Sequence, residues 1–178
     1  MNNGTVSARK TLLRVSKFLG SRRVDWNNED HLNQLSDLAI EFSLSQDLID
    51  SNPSNLVVYS EQGAEKIYFI DKDIHYRTEN VLGEALVANF ISSLPHAPIQ
   101  LWQLSKNDDE KSTLSRLIHR SCLRQARSFL RRLKAKDTTR LNLRQSFSDA
   151  LLNSKPRNHV DRLKQICGNE ITQEFMRK

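Results

Sequence analysis

The chain has 178 residues, 38% hydrophobic and 27% charged, which suits one domain, or one with an appendage, that can bury a core without disulfides or metal. Its longest apolar run, residues 81–91, is broken by Gly83, Glu84 and Asn89 and falls short of the roughly 18 residues a membrane span takes. Two cysteines, Cys122 and Cys167, supply neither a disulfide framework nor a thiolate zinc site and fit a reducing compartment. The formal net charge of +6 hides larger opposing blocks: +6 over residues 1–23, −12 over 24–110, +10 over 111–144 and +2 over 145–178.

Residues 1–23 hold six Lys and Arg and no acid. Ala8, Leu12, Val15 and Leu19 recur at helical spacing with Lys10, Arg14 and Lys17 on another side, which predicts a short basic surface helix ending near Gly20. Mitochondrial transit peptides share this composition, so a matrix destination stands as the minority reading beside it. Residues 25–28 supply turn and cap chemistry for a helix patterned by His31, Leu32, Leu35, Leu38, Ala39 and Phe42, and the turn formers at 51–54 bound it. Residues 56–59 and 66–70 are β-branched and aromatic, and Glu61-Gln62-Gly63 between them predicts a hairpin with a longer loop; 74–77 would add a third strand. A buried helix is expected over 79–94, ended by Pro95, and one more strand over 98–104, which carries Trp102.

Asn107 or Asp108 can cap the next helix, with Asp109 and Glu110 where the helix dipole favours negative charge, and its pattern runs to about Lys136. Asp137-Thr138-Thr139 restarts a helix that Pro156 closes, and Asn158 can cap a last one through Cys167, with Gly168 at its end. The predicted class is α+β, helix-dominated: a small antiparallel sheet of about three or four short strands with packed helices, then a long basic C-terminal helix followed by two more. The expected organisation is a basic arm (1–23), an acidic α+β body (24–106) and a basic helical region (107–178) that can share one domain with the body.

Arg116, Arg120, Arg124, Arg127 and Arg131 are spaced 4, 4, 3 and 4 apart, which aligns them on one side of a helix in a stripe about 22 Å long. Arg132, Lys134 and Lys136 extend the charge, while Leu114, Ile118, Cys122, Ala126, Phe129 and Leu133 form an apolar stripe roughly opposite. Like charges at such spacing repel by a few tenths of a kcal/mol per pair, so an anion is expected opposite them. Nucleic-acid phosphate, which arginine binds bidentately, answers that need. The first expectation is therefore a non-enzymatic protein associated with DNA or RNA, a small subunit of a nucleoprotein complex in the cytoplasm, nucleoid or nucleus. The alternative is a protein–protein adaptor or regulator whose basic helix docks on an acidic partner or on the chain's own acidic body; a plainly solvated face is the third reading.

Other chemistry is weaker. Lys155-Pro156-Arg157 could turn a helix-turn-helix presenting His159, Arg162 and Lys164, although such turns are usually tighter. Asp71, Asp73 and His75 alternate and would share one side of a strand, a minority candidate for a divalent cation, but charged turns give the same string far more often. The chain has no P-loop, nucleophile elbow or Gly-rich dinucleotide loop, and no cofactor is implied. Cys122 lies among arginines that could activate a thiol, but its place on the apolar stripe favours a small buried hydrophobe.

Overall fold

Asn28 has an extended backbone, and its side-chain oxygen accepts hydrogen bonds from the N–H groups of Asp30 and His31, which starts helix α1 (Glu29–Leu44) where the cap chemistry of 25–28 places it. The computed structural model of the protein describes residues 22–45, 48, 55–69, 81–136 and 142–153. The arm helix expected over 8–19, the strand at 74–77, the Asp71/Asp73/His75 group and the last helix from Asn158 lie outside them.

After α1 come strands β1 (Leu56–Glu61) and β2 (Ala64–Phe69), then helices α2 (Leu82–Ser92), α3 (His96–Leu104), α4 (Asp108–Lys136) and α5 (Leu143–Asn153). The class is α+β and helix-dominated, as the patterning predicts, but the sheet among the described residues has two strands. One reason is that residues 98–104, expected as a strand, belong to α3. Pro98 sits in the first helical turn, where its missing N–H costs no intrahelical bond. Ile99 is buried and Trp102, three residues on, packs against the same core, while Leu101 and Leu104 are exposed. A strand would instead have put Ile99 and Leu101 on one face.

The hairpin pairs Leu56 with Phe69 through to Glu61 with Ala64, so its loop is only Gln62-Gly63, shorter than expected. Both residues have positive φ, 54° and 83°, as a two-residue type I′ connection needs. On the other edge of β1, Arg22 and Val58 exchange both backbone hydrogen bonds, at 3.0 and 2.8 Å. The edge of β2 is closed by a side chain: Gln34 donates to the Glu65 carbonyl and accepts from the Ile67 N–H, each at 2.9 Å. Beneath the hairpin, Leu56, Val58 and Ile67 pack on Leu35 of α1 with Val24, Trp26 and Leu38.

A larger core joins Ala39 and Ile40 of α1 to α2, α3, α4 and α5. Its centre is three buried phenylalanines, one from each of α2, α4 and α5: Phe90 and Phe129 are 4.9 Å apart, Phe129 and Phe147 5.2 Å, and Phe90 and Phe147 meet edge to face at 5.8 Å. Cys122 lies in this core, fully buried. Asn142 accepts from the Gln145 N–H at 2.9 Å ahead of α5, so this described helix starts beyond the Asp137-Thr138-Thr139 restart expected from sequence. Among the described residues no helix is long and apolar enough to cross a membrane.

Helices α2 and α5 approach closely because Gly83 has no side chain: a Cβ there would collide with the Ser146 carbonyl oxygen and come within 2.9 Å of the Ala150 Cβ. Gly83→Ala is expected to cost about 1 to 3 kcal/mol by overpacking, and Leu86→Ala about 2 to 5 kcal/mol by cavity formation, both measured by urea denaturation.

His31 ties α1 to the hairpin. Its Nδ1 accepts the Asp25 N–H at 3.1 Å, so Nε2 carries the proton and donates to Glu65 at 2.9 Å, and Glu65 also pairs with Arg22. Burial pushes the imidazole pKa below its ordinary 6.5, outweighing the nearby Asp25 charge. The unfolded chain therefore takes up a proton near pH 6.5 that the folded chain still refuses. His31 contributes its full stability above that pH and loses it as pH falls towards and through the lowered folded value. Urea midpoints of the native protein should drop on acidification through this window, and His31→Gln should flatten that part of the profile.

Candidate nucleic-acid interface

Helix α4 spans 29 residues and contains no acid after its first turn, Asp108, Asp109 and Glu110. Asn107 caps it, accepting from the Asp109 N–H at 2.9 Å and the Glu110 N–H at 3.3 Å, and the Ser105 hydroxyl donates to Glu110 at 2.6 Å. Acids at the start and Lys134 and Lys136 in the last turn both suit the helix dipole. The apolar stripe falls inside as expected: Ile118, Cys122, Ala126, Phe129 and Leu133 are buried, with Leu114 packed at the edge.

The neighbour of α4 on its polar flank is α1, which carries Glu29, Asp30, Asp37 and Glu41 and no Lys or Arg. The two helices run in the same direction in a fixed register: Asn33 meets Ser128, Asp37 meets Arg132 and Glu41 meets Lys136, one contact per turn. Asn33 accepts from the Ser128 hydroxyl at 2.7 Å, and Ser36 Oγ donates to Ser128 Oγ at 3.1 Å. The Gln125 amide donates to Ser93 at 3.1 Å, so the seam reaches the end of α2. Below it, Arg132 holds Asp37 bidentately through Nε, at 3.0 Å, and Nη2. The hydrogen bonds to Asp37 raise the already high Arg132 pKa. Lys136 completes the ladder, 2.7 Å from Glu41 and 3.6 Å from Asp37.

The eight basic residues singled out from sequence therefore divide. Arg132 and Lys136 are half-buried and committed to α1, and Arg131, on the stripe itself, pairs with Glu29 at 2.9 Å with both side chains exposed. Arg116, Arg120, Arg124, Arg127 and Lys134 are exposed. Arg116 and Arg120 make no ion pair among the described residues. Among the described residues Arg124 reaches only the Asn27 side-chain oxygen, at 3.4 Å. Arg124, Arg127 and Arg131 line one wall of a groove of about 360 Å³ whose other side is Asn27, Glu29 and Leu32.

Sequence reasoning about α4 alone does not find Asn27 and Glu29, because they sit about a hundred residues away. The acids at 37 and 41 and the bases at 132 and 136 do share an i, i+4 spacing, a signal for matched helix edges. Among the described residues no group of three His, Cys, Asp or Glu could hold a metal ion. The helix-turn-helix candidate, with Arg157, His159, Arg162 and Lys164, lies outside the described residues. No family model matches the chain, and neither a curated protein nor a solved structure matches it.

The division of the cations predicts unequal effects on stability. Arg132→Ala leaves a partly buried Asp37 with only the longer contact to Lys136 and should cost about 1 to 2 kcal/mol, whereas Arg116→Ala or Arg120→Ala should stay within about 0.5 kcal/mol. Thermal unfolding of the three variants checks the difference.

Proposed function

We propose that the protein is a non-enzymatic nucleic-acid-associated subunit that lays the exposed edge of α4 along a phosphate backbone of DNA or RNA. The observation that carries this reading is the separation of the cations onto two edges of one helix. The carboxylates of α1 already engage Arg132 and Lys136 on the inner edge, while Arg116, Arg120 and Arg124, exposed on the outer one beside the exposed Arg127, meet no carboxylate among the described residues. From Arg116 to Arg127 the outer row is about 16 Å long at the helical rise, enough to follow several phosphates of one strand. Its members repel one another in the free protein, so phosphate relieves a cost that the fold itself carries. Guanidinium groups suit this role because each offers a planar fork of donors and keeps its charge at every physiological pH.

The test is Arg120→Ala, Arg124→Ala and Arg127→Ala made together. Binding of a labelled oligonucleotide should fall and its dependence on log salt become shallower, by close to 0.9 per lost phosphate contact on duplex and about 0.7 on a single strand. Stability should hold or rise, since like charges have been removed. A variant that unfolds readily yet binds DNA and RNA as the parent does would overturn the proposal. So would a parent protein that ignores both at low salt, and binding of polyglutamate in their place would move the reading to an adaptor for acidic proteins.

A further inference from the structure

We infer that the groove between the start of α1 and the middle of α4 is a seat for one phosphate group of the bound strand, and that Glu29 competes with that phosphate for Arg131. This rests on the proposed association with nucleic acid. Three of the stripe's guanidinium groups, from Arg124, Arg127 and Arg131, converge on one concavity instead of following the convex helix surface. Asn27 adds a side-chain amide on the opposite wall, in weak contact with Arg124 at 3.4 Å. The buried Leu32 lies at the base, and the Ser128 hydroxyl there is committed to Asn33. At about 360 Å³ the space exceeds a phosphate alone and admits the sugar to which it is attached.

The carboxylate of Glu29 stands where such a phosphate would bring its oxygens, accepting from Arg131 Nη2 at 2.9 Å. A carboxylate and a phosphate present the same kind of paired oxygen acceptor to a guanidinium, but phosphate carries more acceptors and can bridge more than one arginine. The Glu29–Arg131 pair is easily exchanged, because the two side chains are 69% and 61% exposed and such pairs are weak. The Asp37–Arg132 pair, whose carboxylate lies two turns further along α1, is bidentate and partly buried, so it stays in place. On binding, phosphate takes Arg131, and Glu29, now facing a like charge, swings out to water. Glu29 thus lowers affinity and makes occupancy of the groove competitive.

The experiment compares Glu29→Gln with Asp149→Asn, which removes the same charge from an exposed position on α5, using fluorescence anisotropy with labelled single-stranded DNA, duplex DNA and RNA of mixed sequence. Glu29→Gln should bind about two- to fivefold more tightly than the parent, the range that loss of one exposed competing pair allows, and Asp149→Asn should differ little from it. Adding Arg131→Ala to Glu29→Gln should abolish the gain. Equal affinity of Glu29→Gln and Asp149→Asn would overturn the inference, as would a gain that survives loss of Arg131. Arg116→Ala with Arg120→Ala, both outside the groove, reports on the parent reading separately. If that pair weakens binding while Glu29→Gln does nothing, only the seat fails; if neither the parent protein nor Glu29→Gln binds any probe, both readings fail.

Discussion

The parallel register of α1 against α4 is the constraint on which the rest of the molecule depends. With Asn33, Asp37 and Glu41 set against Ser128, Arg132 and Lys136, every turn of α4 that faces α1 has a polar partner, and α4 cannot slide by a residue without losing all three. Ser36 and Gln125 sit inside this seam, so it is polar through its depth and not only at its rim. Buried hydroxyls and amides cost free energy unless paired; the Ser36, Ser128 and Asn33 oxygens and the Gln125 amide nitrogen are paired in one register, whereas Gln125 Oε1 has no partner among the described residues.

That register also decides what is left over. An offset of 95 residues sets Arg124 level with the first residue of α1, so Arg124, Arg127 and Arg131 line the groove beside its start, whereas Arg120 and Arg116 lie one and two turns before it. One basic helix thereby presents two kinds of cation. Its inner cations neutralise an acidic neighbour, and of the outer ones Arg131 pairs with Glu29 while Arg116 and Arg120 meet no carboxylate among the described residues. The groove lies where the two edges meet, at Arg131, which explains why it contains both arginines and a carboxylate.

Helix α1 is the shared wall. Leu35 faces the hairpin and Ala39 and Ile40 face the phenylalanine cluster, so a two-stranded ribbon that would be marginal alone is held by the same helix that positions α4. His31 and Gln34 strengthen that hold by satisfying β2 from the side and by fixing Glu65. The N-terminal turn of α1, which carries Glu29, is therefore anchored from the hairpin side by His31 and from the helical side by Ser36 and Asp37.

Periodicity and capping by themselves determined much of this protein. The apolar pattern from His31 to Phe42, a cap at Asn107 or Asp108, the hairpin runs and the opposite faces of α4 are local properties, written at spacings of 2 and about 3.6 residues that any neighbour must accept. Residues 98–104 misled because a short apolar run bounded by turns suits either element, and only burial of Ile99 and packing of the half-buried Trp102 on the same core, with exposure of Leu101, select the helix. The hairpin loop misled through Gln62, which adopts a left-handed backbone more typical of Asn or Gly. The stripe was legible as a row of charges; which of those charges are used internally was not. That depends on carboxylates some ninety-five to a hundred residues away, brought to one edge and not the other by packing of α1, and charge along a sequence carries no record of which charges meet in space.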